Sequence, residues 1–424
     1  MDTSINIIKI LKKGMLLGIS GVIIGFVLIF LVYLIPLGPI KENVTRSADE
    51  WHAEGPWPML LNGYSSSILD NFTDSVMLSI AVYDNGSSAL IQSMQNNYAM
   101  ESVESLPFNS LYAYLHGAEC YGESYSRYWH GYLVLLKPFL TLFSYSDLRI
   151  LNIFAISALF CYVLYLFQRN LPCKNGIVFG VSALFLMPIT LFFCLDMANM
   201  LYITLISLIF LFKKKKMLFK LENAILFFLS IGMLTSYMDF LTYPTLSLGI
   251  PLITYGALIF YEHKVVLKLR ETLFPIIFWA LGYLGMWASK WVISSFITGE
   301  NVILIALRTV KKRSDLYTDE SIIAHRFQAI MNNLDILFQG ALGWILGILL
   351  ILIGVVFVYQ LRKHKPNMTF CMFQLLVAMI PLGWFFVTSE HCSQHAWFTY
   401  RNFIVTIYAL GTLFMNAFDK ESAN

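Results

Sequence analysis

Repeated apolar runs of about twenty residues, without interrupting charges, restrict this chain to very few classes of fold. The first, MLLGISGVIIGFVLIFLVYLI at 15–35, follows Lys9, Lys12 and Lys13 and is long enough to cross a hydrocarbon core of about 30 Å. Such runs must be helical, because backbone polar groups in lipid are satisfied only in helices or closed barrels, and barrel strands alternate in polarity where these runs do not. With 58% hydrophobic and 13% charged residues and a mean hydropathy of +0.66, the chain is expected to be an all-α polytopic membrane protein. The first run resembles a signal peptide but has no small-residue cleavage site, so it reads as an anchored helix.

About ten spans are expected, near 15–35, 148–168, 175–195, 199–213, 223–238, 240–261, 272–297, 341–361, 368–388 and 402–418. Charge orients them. With the N-terminus inside, the inner segments and Lys213 hold 17 of the 29 Lys and Arg but 6 of the 26 Asp and Glu. That asymmetry is the positive-inside pattern, and it puts both termini in the cytoplasm and the acids outside. The outer material is one long early loop at 36–147, a second at 298–340 and a last at 389–401. No internal repeat or low-complexity tract divides the chain, so a single transmembrane domain over 1–424 is expected.

The six cysteines have no paired metal-ligand spacing. Cys120 and Cys392 alone fall outside, where they either pair or stay as thiols. Nucleotide-binding glycine loops, HExxH and GxSxG are missing, and no nucleic-acid partner is expected.

Residues 125–216 carry a pattern: YSRYWHG, the amphipathic YLVLLKPFLTLF, Leu148–Arg149 opening a span, a span with an internal Pro in LMPITLFF, then an acid in DMANM before the next span and KKKK after it. This pattern resembles the integral-membrane glycosyltransferases of the GT-C class, nearest to the protein mannosyltransferase and aminoarabinose transferase branch. The resemblance implies a large first outer loop with amphipathic juxtamembrane helices and an active site at the outer face of a bacterial plasma membrane. It also implies a polyprenyl-phosphate sugar donor, an envelope glycan, lipid or protein acceptor, and a catalytic carboxylate in the first outer loop. No further cofactor is implied.

Sugar transfer of that kind needs a carboxylate to take the acceptor proton and cationic groups to hold the departing phosphate. LDNFTDSVMLSIAVY at 69–83 offers Asp70 and Asp74, four apart and so on one helical face, beside an apolar stripe suited to lying on a bilayer. The alternative is that Asp70 caps the helix and Asp74 is solvated. Asp49 and Glu50, among Trp51, Trp57 and prolines, form a competing pair.

For the phosphate, YSRYWHG supplies Arg127 and His130 with Trp129 between them, and SEHCSQHAWFTYRNF supplies Glu390, His391, His395 and Arg401. The same residues also suit an interfacial aromatic belt. Arg401 opens the last span, where a charge must be bridged to an acid or await an anionic ligand. The two histidines lack a clear third ligand, so no metal site is expected.

Arg308, Lys311, Lys312 and Arg313 break the positive-inside trend, and anionic headgroups, a polymeric acceptor, the lipid carrier or plain solvation would each accommodate them. Asp196 and Asp239, with Tyr243 a turn beyond the latter, sit at outer helix ends, where they either line a cavity or cap helices. A transporter or flippase of lipid-linked sugars is the alternative from another class, and would call for repeated halves, broken helices and mid-membrane charge. Lys290 is the one charge near a midplane. A polysaccharide polymerase or ligase is a third reading.

Overall fold

The computed structural model describes residues 6–314 and 322–419; parts of the expected inner termini and of the second outer loop lie outside them. The described chain is almost wholly helical, with one short antiparallel pair of strands, Tyr98–Met100 and Tyr121–Glu123, inside the long early loop.

Among the described residues, eight helices are long and apolar enough to cross a membrane: Ile7–Val32, Tyr145–Asn170, Leu195–Leu218, Leu221–Met238, Thr245–His263, Leu269–Thr298, Gly340–Leu361 and the Met368–Val387 pair. Two of the ten expected spans fall short of that length. The run at 175–195 is interrupted: Cys173–Leu184 ends, Met187 takes a left-handed conformation, and Pro188 starts a second short helix to Phe193. The last run divides into a 3-10 turn at Tyr400–Phe403 and a helix at Ile404–Asn416.

The expected inner segments meet at one end of the bundle. Lys9 and Lys13 pair with Glu222, Lys215 with Glu262, and Lys174 with Asp419. At the opposite end, the early loop folds into a roof of short helices. Ser144 and Asp147 form a capping box that starts the next span.

The closest helix crossing is between Leu221–Met238 and Leu269–Thr298. A Cβ on Gly232 would lie 2.0 Å from Trp279 O, and one on Gly282 would lie 2.2 Å from Leu229 O. Small residues thus bring the two backbones into contact, as membrane helix interfaces require.

Lys290 belongs to the second of these helices and is fully buried. Its Nζ donates to Asn96 Oδ1 at 2.8 Å and to Ser93 O at 3.3 Å, at the C-terminal end of the helix Ala89–Gln95. Asn96 in turn donates to Tyr33 Oη at 2.9 Å. Lys290 therefore ties the early loop to the bundle.

The expectation that 69–83 lies on the bilayer is corrected. The helix Asn71–Val82 is buried on nearly every side, roofed by other helices of its own loop. An apolar stripe has the same spacing whether it meets lipid or protein.

Candidate functional site

Asp70 is the N-cap of the helix Asn71–Val82, accepting from Thr73 N at 2.9 Å and Thr73 Oγ1 at 2.7 Å. One turn on, Asp74 is buried and caps a different helix. Its carboxylate accepts from Leu195 N at 3.0 Å and Asp196 N at 2.8 Å, at the free N-terminus of Leu195–Leu218, and from Tyr145 Oη at 2.6 Å. An anion there satisfies otherwise orphaned amides and the positive end of the helix dipole.

Arg149 braces the same corner. Its guanidinium donates to Glu54 at 2.8 Å and Asn71 Oδ1 at 2.6 Å and lies 4.6 Å from the Tyr145 ring centroid.

Asp196 and Asp239 join this group from the turns below. Asp239 Oδ1 accepts from Thr242 N at 3.0 Å, whereas Asp239 Oδ2 and Asp196 Oδ1 are buried without a hydrogen-bond partner. Burial pushes Asp70 up to about 7, assisted by the Asp74 charge and opposed by Thr73. It pushes Asp239 up to about 6 against the Thr242 donors. Asp74 is also raised by burial, with Tyr145, the two amides and Arg149 opposing.

The YSRYWHG segment closes the other side. Gly131 N donates to Tyr237 O at 2.8 Å, and any Cβ there would fall 2.1 Å from the Tyr237 ring, so only glycine fits. His130 holds φ +54° with both ring nitrogens engaged. Nε2 lies 2.9 Å from Tyr125 O, which can only accept, so Nε2 carries the proton and Nδ1 accepts from Tyr132 Oη at 3.0 Å. Burial first, then the Lys290 and Arg127 charges, hold this imidazole neutral. The Tyr132 phenol in turn lies within the fields of Asp196 and Asp74, and so links the histidine to the acids.

Arg127 pairs with no carboxylate among the described residues. Its guanidinium sits 4.3 Å from the Tyr125 ring and 5.4 Å from that of Tyr128, and its Nε is buried without a partner, as is Tyr128 Oη. Trp287 and Trp291 both donate to the Arg127 carbonyl, at 2.9 and 3.0 Å. These tryptophans continue a ladder of rings at four-residue spacing, Trp279, Tyr283, Trp287 and Trp291, with Tyr128 stacked on Trp287 at 5.8 Å.

Arg313, from the helix Val302–Arg313, meets His391 Nδ1, while His391 Nε2 donates to Leu241 O at 2.8 Å. His395 stacks on Phe398, and burial with the Arg313 charge lowers its pKa to about 4.

Several expected site residues take other roles. Arg401 is wholly buried, neither bridged to an acid nor free for a ligand; it donates to Leu186 O at 2.8 Å, Ser66 O at 3.0 Å, and the carbonyls of Trp397 and Phe398. Its charge still reaches the acid group through Tyr243, whose phenol feels Arg401, Asp196 and Asp239 and donates to Met197 O. His130 has no free nitrogen for a phosphate, and Trp129 spends its indole N–H on Met286 O at 2.6 Å. Asp49 and Glu50 stand apart on the outer surface, accepting from Tyr112 Oη and Ser146 Oγ. Glu390 faces His325 at 3.2 Å, away from the acids. Cys120 and Cys392 are free thiols. Among the described residues, no three His, Cys, Asp or Glu side chains are grouped to hold a metal ion.

Three elements of the site escaped the sequence reading. Tyr132 and the Tyr145–Arg149 brace depend on contacts remote in sequence, whereas the aromatic ladder is visible as W-x3-Y-x3-W-x3-W at 279–291.

Among the described residues five non-glycine residues have positive φ; three of them are His130, Met187 and Leu241. The other two, Asn96 and Lys264, end helices, where that conformation is common.

Comparison with protein-family models, curated proteins and solved structures finds no match to this chain.

Proposed function

We propose that the protein is a glycosyltransferase that moves a sugar from a polyprenyl-phosphate donor to a cell-envelope glycan, lipid or protein at the outer face of a bacterial plasma membrane. One arrangement supports this reading: buried carboxylate oxygens without partners, on Asp196 and Asp239, and the Arg127 guanidinium against the Tyr128 ring, with Tyr283 within the fields of both Asp239 and Tyr128. Leaving such groups unsatisfied costs about 1–3 kcal/mol each, more when charged, so they are fitted to something the site receives. An acceptor hydroxyl needs the first kind of group and a departing lipid phosphate the second.

Asp239 is the base in this reading, since Asp70 and Asp74 already use their oxygens as caps. Asp196 lies beside it, and the charge repulsion between them favours proton uptake. Arg127, with Arg313, holds the phosphate, and the Tyr283–Trp287–Trp291 ladder flanks the lipid-borne donor. The test compares envelope glycans from cells carrying wild type, Asp239→Asn or Arg127→Ala. Unchanged glycans at normal expression of both variants would remove the proposal.

A transporter of lipid-linked sugars is favoured by two interrupted helices, Cys173–Phe193 and Met368–Val387. Reconstituted protein separates the two: a transporter moves the intact lipid-linked sugar across the bilayer, whereas the enzyme leaves free polyprenyl phosphate and a glycosylated acceptor.

A further inference from the structure

Between Gly55 and Leu69 the chain reads GPWPMLLNGYSSSIL, fifteen residues without a charge. It is a built loop. Leu69 N donates to Pro58 O at 2.9 Å, Phe72 N to Pro56 O at 3.0 Å, and Met59 pairs with Ile68 in an isolated antiparallel bridge. Trp57 stacks on Phe72 at 5.3 Å. Yet its tip displays large apolar side chains: Trp57 is 46% exposed, Met59 43%, Leu60 37% and Leu61 40%.

The loop's height follows from its anchor. Tyr64 Oη accepts from Ala341 N at 2.8 Å, and Gln339 Oε1 accepts from Ser65 N at 2.7 Å, at the start of the helix Gly340–Leu361. That helix is strongly apolar and little buried along its length. At 22 residues it is about 33 Å long, the thickness of the hydrocarbon core, so its first residues mark the outer boundary. Trp344, Ile345 and Ile348 continue the exposed apolar surface below the loop.

We propose that the tip of this loop, Trp57 to Leu61, is seated in the outer interface of the lipid bilayer. The partner is lipid itself: aromatic and aliphatic side chains enter the boundary between headgroups and acyl chains, where tryptophan is most stable. With no charge in the loop, insertion and not headgroup attraction holds it there. The loop runs straight into Asp70, so its seat sets the depth of the acid group against the membrane. This inference stands whether or not the protein transfers sugar.

The test places an environment-sensitive fluorophore on Leu60→Cys, with the exposed Cys161 and Cys173 replaced by Ser, in phospholipid nanodiscs. Val27→Cys in the first span and Val103→Cys, 89% exposed in the early loop, give the lipid and water references. The label at position 60 should be quenched by nitroxides on upper acyl positions at least several-fold more than the label at 103. Its spectrum should not change with salt or on adding anionic lipid. Quenching by aqueous iodide equal to that at position 103 overturns the proposal. Shielding from both quenchers also overturns it, because protein would then cover the tip.

Discussion

Asp74 accepts the Tyr145 hydroxyl at 2.6 Å while closing the N-terminus of a helix whose first residue is 121 positions away. This pair joins the roof of the early loop to two membrane helices, and it makes Asp74 a structural acid before anything else. Asp74→Ala would leave two amides and a phenol unpaired in a buried site, and should cost about 3 kcal/mol or more. Tyr145→Phe removes one charge-assisted bond and should cost about 1–2 kcal/mol. Thermal unfolding in detergent measures both, and a wild-type midpoint for Asp74→Ala would show that the cap is dispensable.

Asp239 should behave in the opposite way. Half of its carboxylate is unpartnered, so Asp239→Asn removes a buried charge and keeps an acceptor for Thr242. Stability should be equal or higher while transfer falls by about 100-fold or more, the scale expected for loss of a general base. Asp49→Asn and Glu50→Gln, on the outer surface, should leave transfer within about twofold. An Asp239→Asn protein with wild-type turnover would return the role of base to Asp196 or Asp70.

Arg127 and Arg401 separate along the same line. Arg127→Lys keeps the charge but loses the planar fork and its place between Tyr125 and Tyr128, and should raise the donor KM about tenfold with little change in stability. Arg401→Lys abandons several of four carbonyls and should destabilise by about 2–4 kcal/mol. Donor titration and thermal unfolding on both variants check the split. The reverse result would exchange the two roles.

What could be read in advance was local. Apolar runs located the eight long helices, charge sorted the segments that gather at one end, and the cap at Asp70 was one of the two roles its position offered. The burial of Asn71–Val82 was not legible, because its stripe is identical against lipid or protein. Nor was the fate of Arg401: backbone carbonyls carry no sequence signature, so a buried arginine bonded to them looks the same as one awaiting an anion. His130 shows the remaining limit. Its partners are only two and five residues away, but their geometry depends on a left-handed turn that its own residue type does not announce.

The acid group makes a prediction about pH. Folded Asp70 keeps its proton to about 7 and Asp239 to about 6, against 3.8 for an unperturbed aspartate. A raised folded-state pKa means that the native protein holds the proton more tightly. The associated stability is therefore full below about pH 4 and is lost as pH rises through 6 to 7. Thermal midpoints in detergent should fall between pH 5 and pH 8, and Asp70→Asn or Asp239→Asn should flatten that fall. A midpoint that climbs over the same range would mean that these carboxylates are ionised in the native state.

The scaffold that holds the acids rests on the Gly232 and Gly282 crossing. A methyl at Gly282 would meet Leu229 O at 2.2 Å, and one at Gly232 would meet Trp279 O at 2.0 Å; backbone cannot turn aside as a side chain can. Either alanine must force the helices Leu221–Met238 and Leu269–Thr298 apart by an ångström or more, at a cost of about 1–3 kcal/mol for overpacking. The displacement would shift Tyr237, which receives Gly131, and the turn that carries Asp239. Gly282→Ala should therefore lower both the thermal midpoint and transfer, although it lies far from any reacting atom. Gly285→Ala, a single turn on with open space around its Cβ, should do neither. Equal behaviour of the two variants would mean that the close crossing does not hold the site.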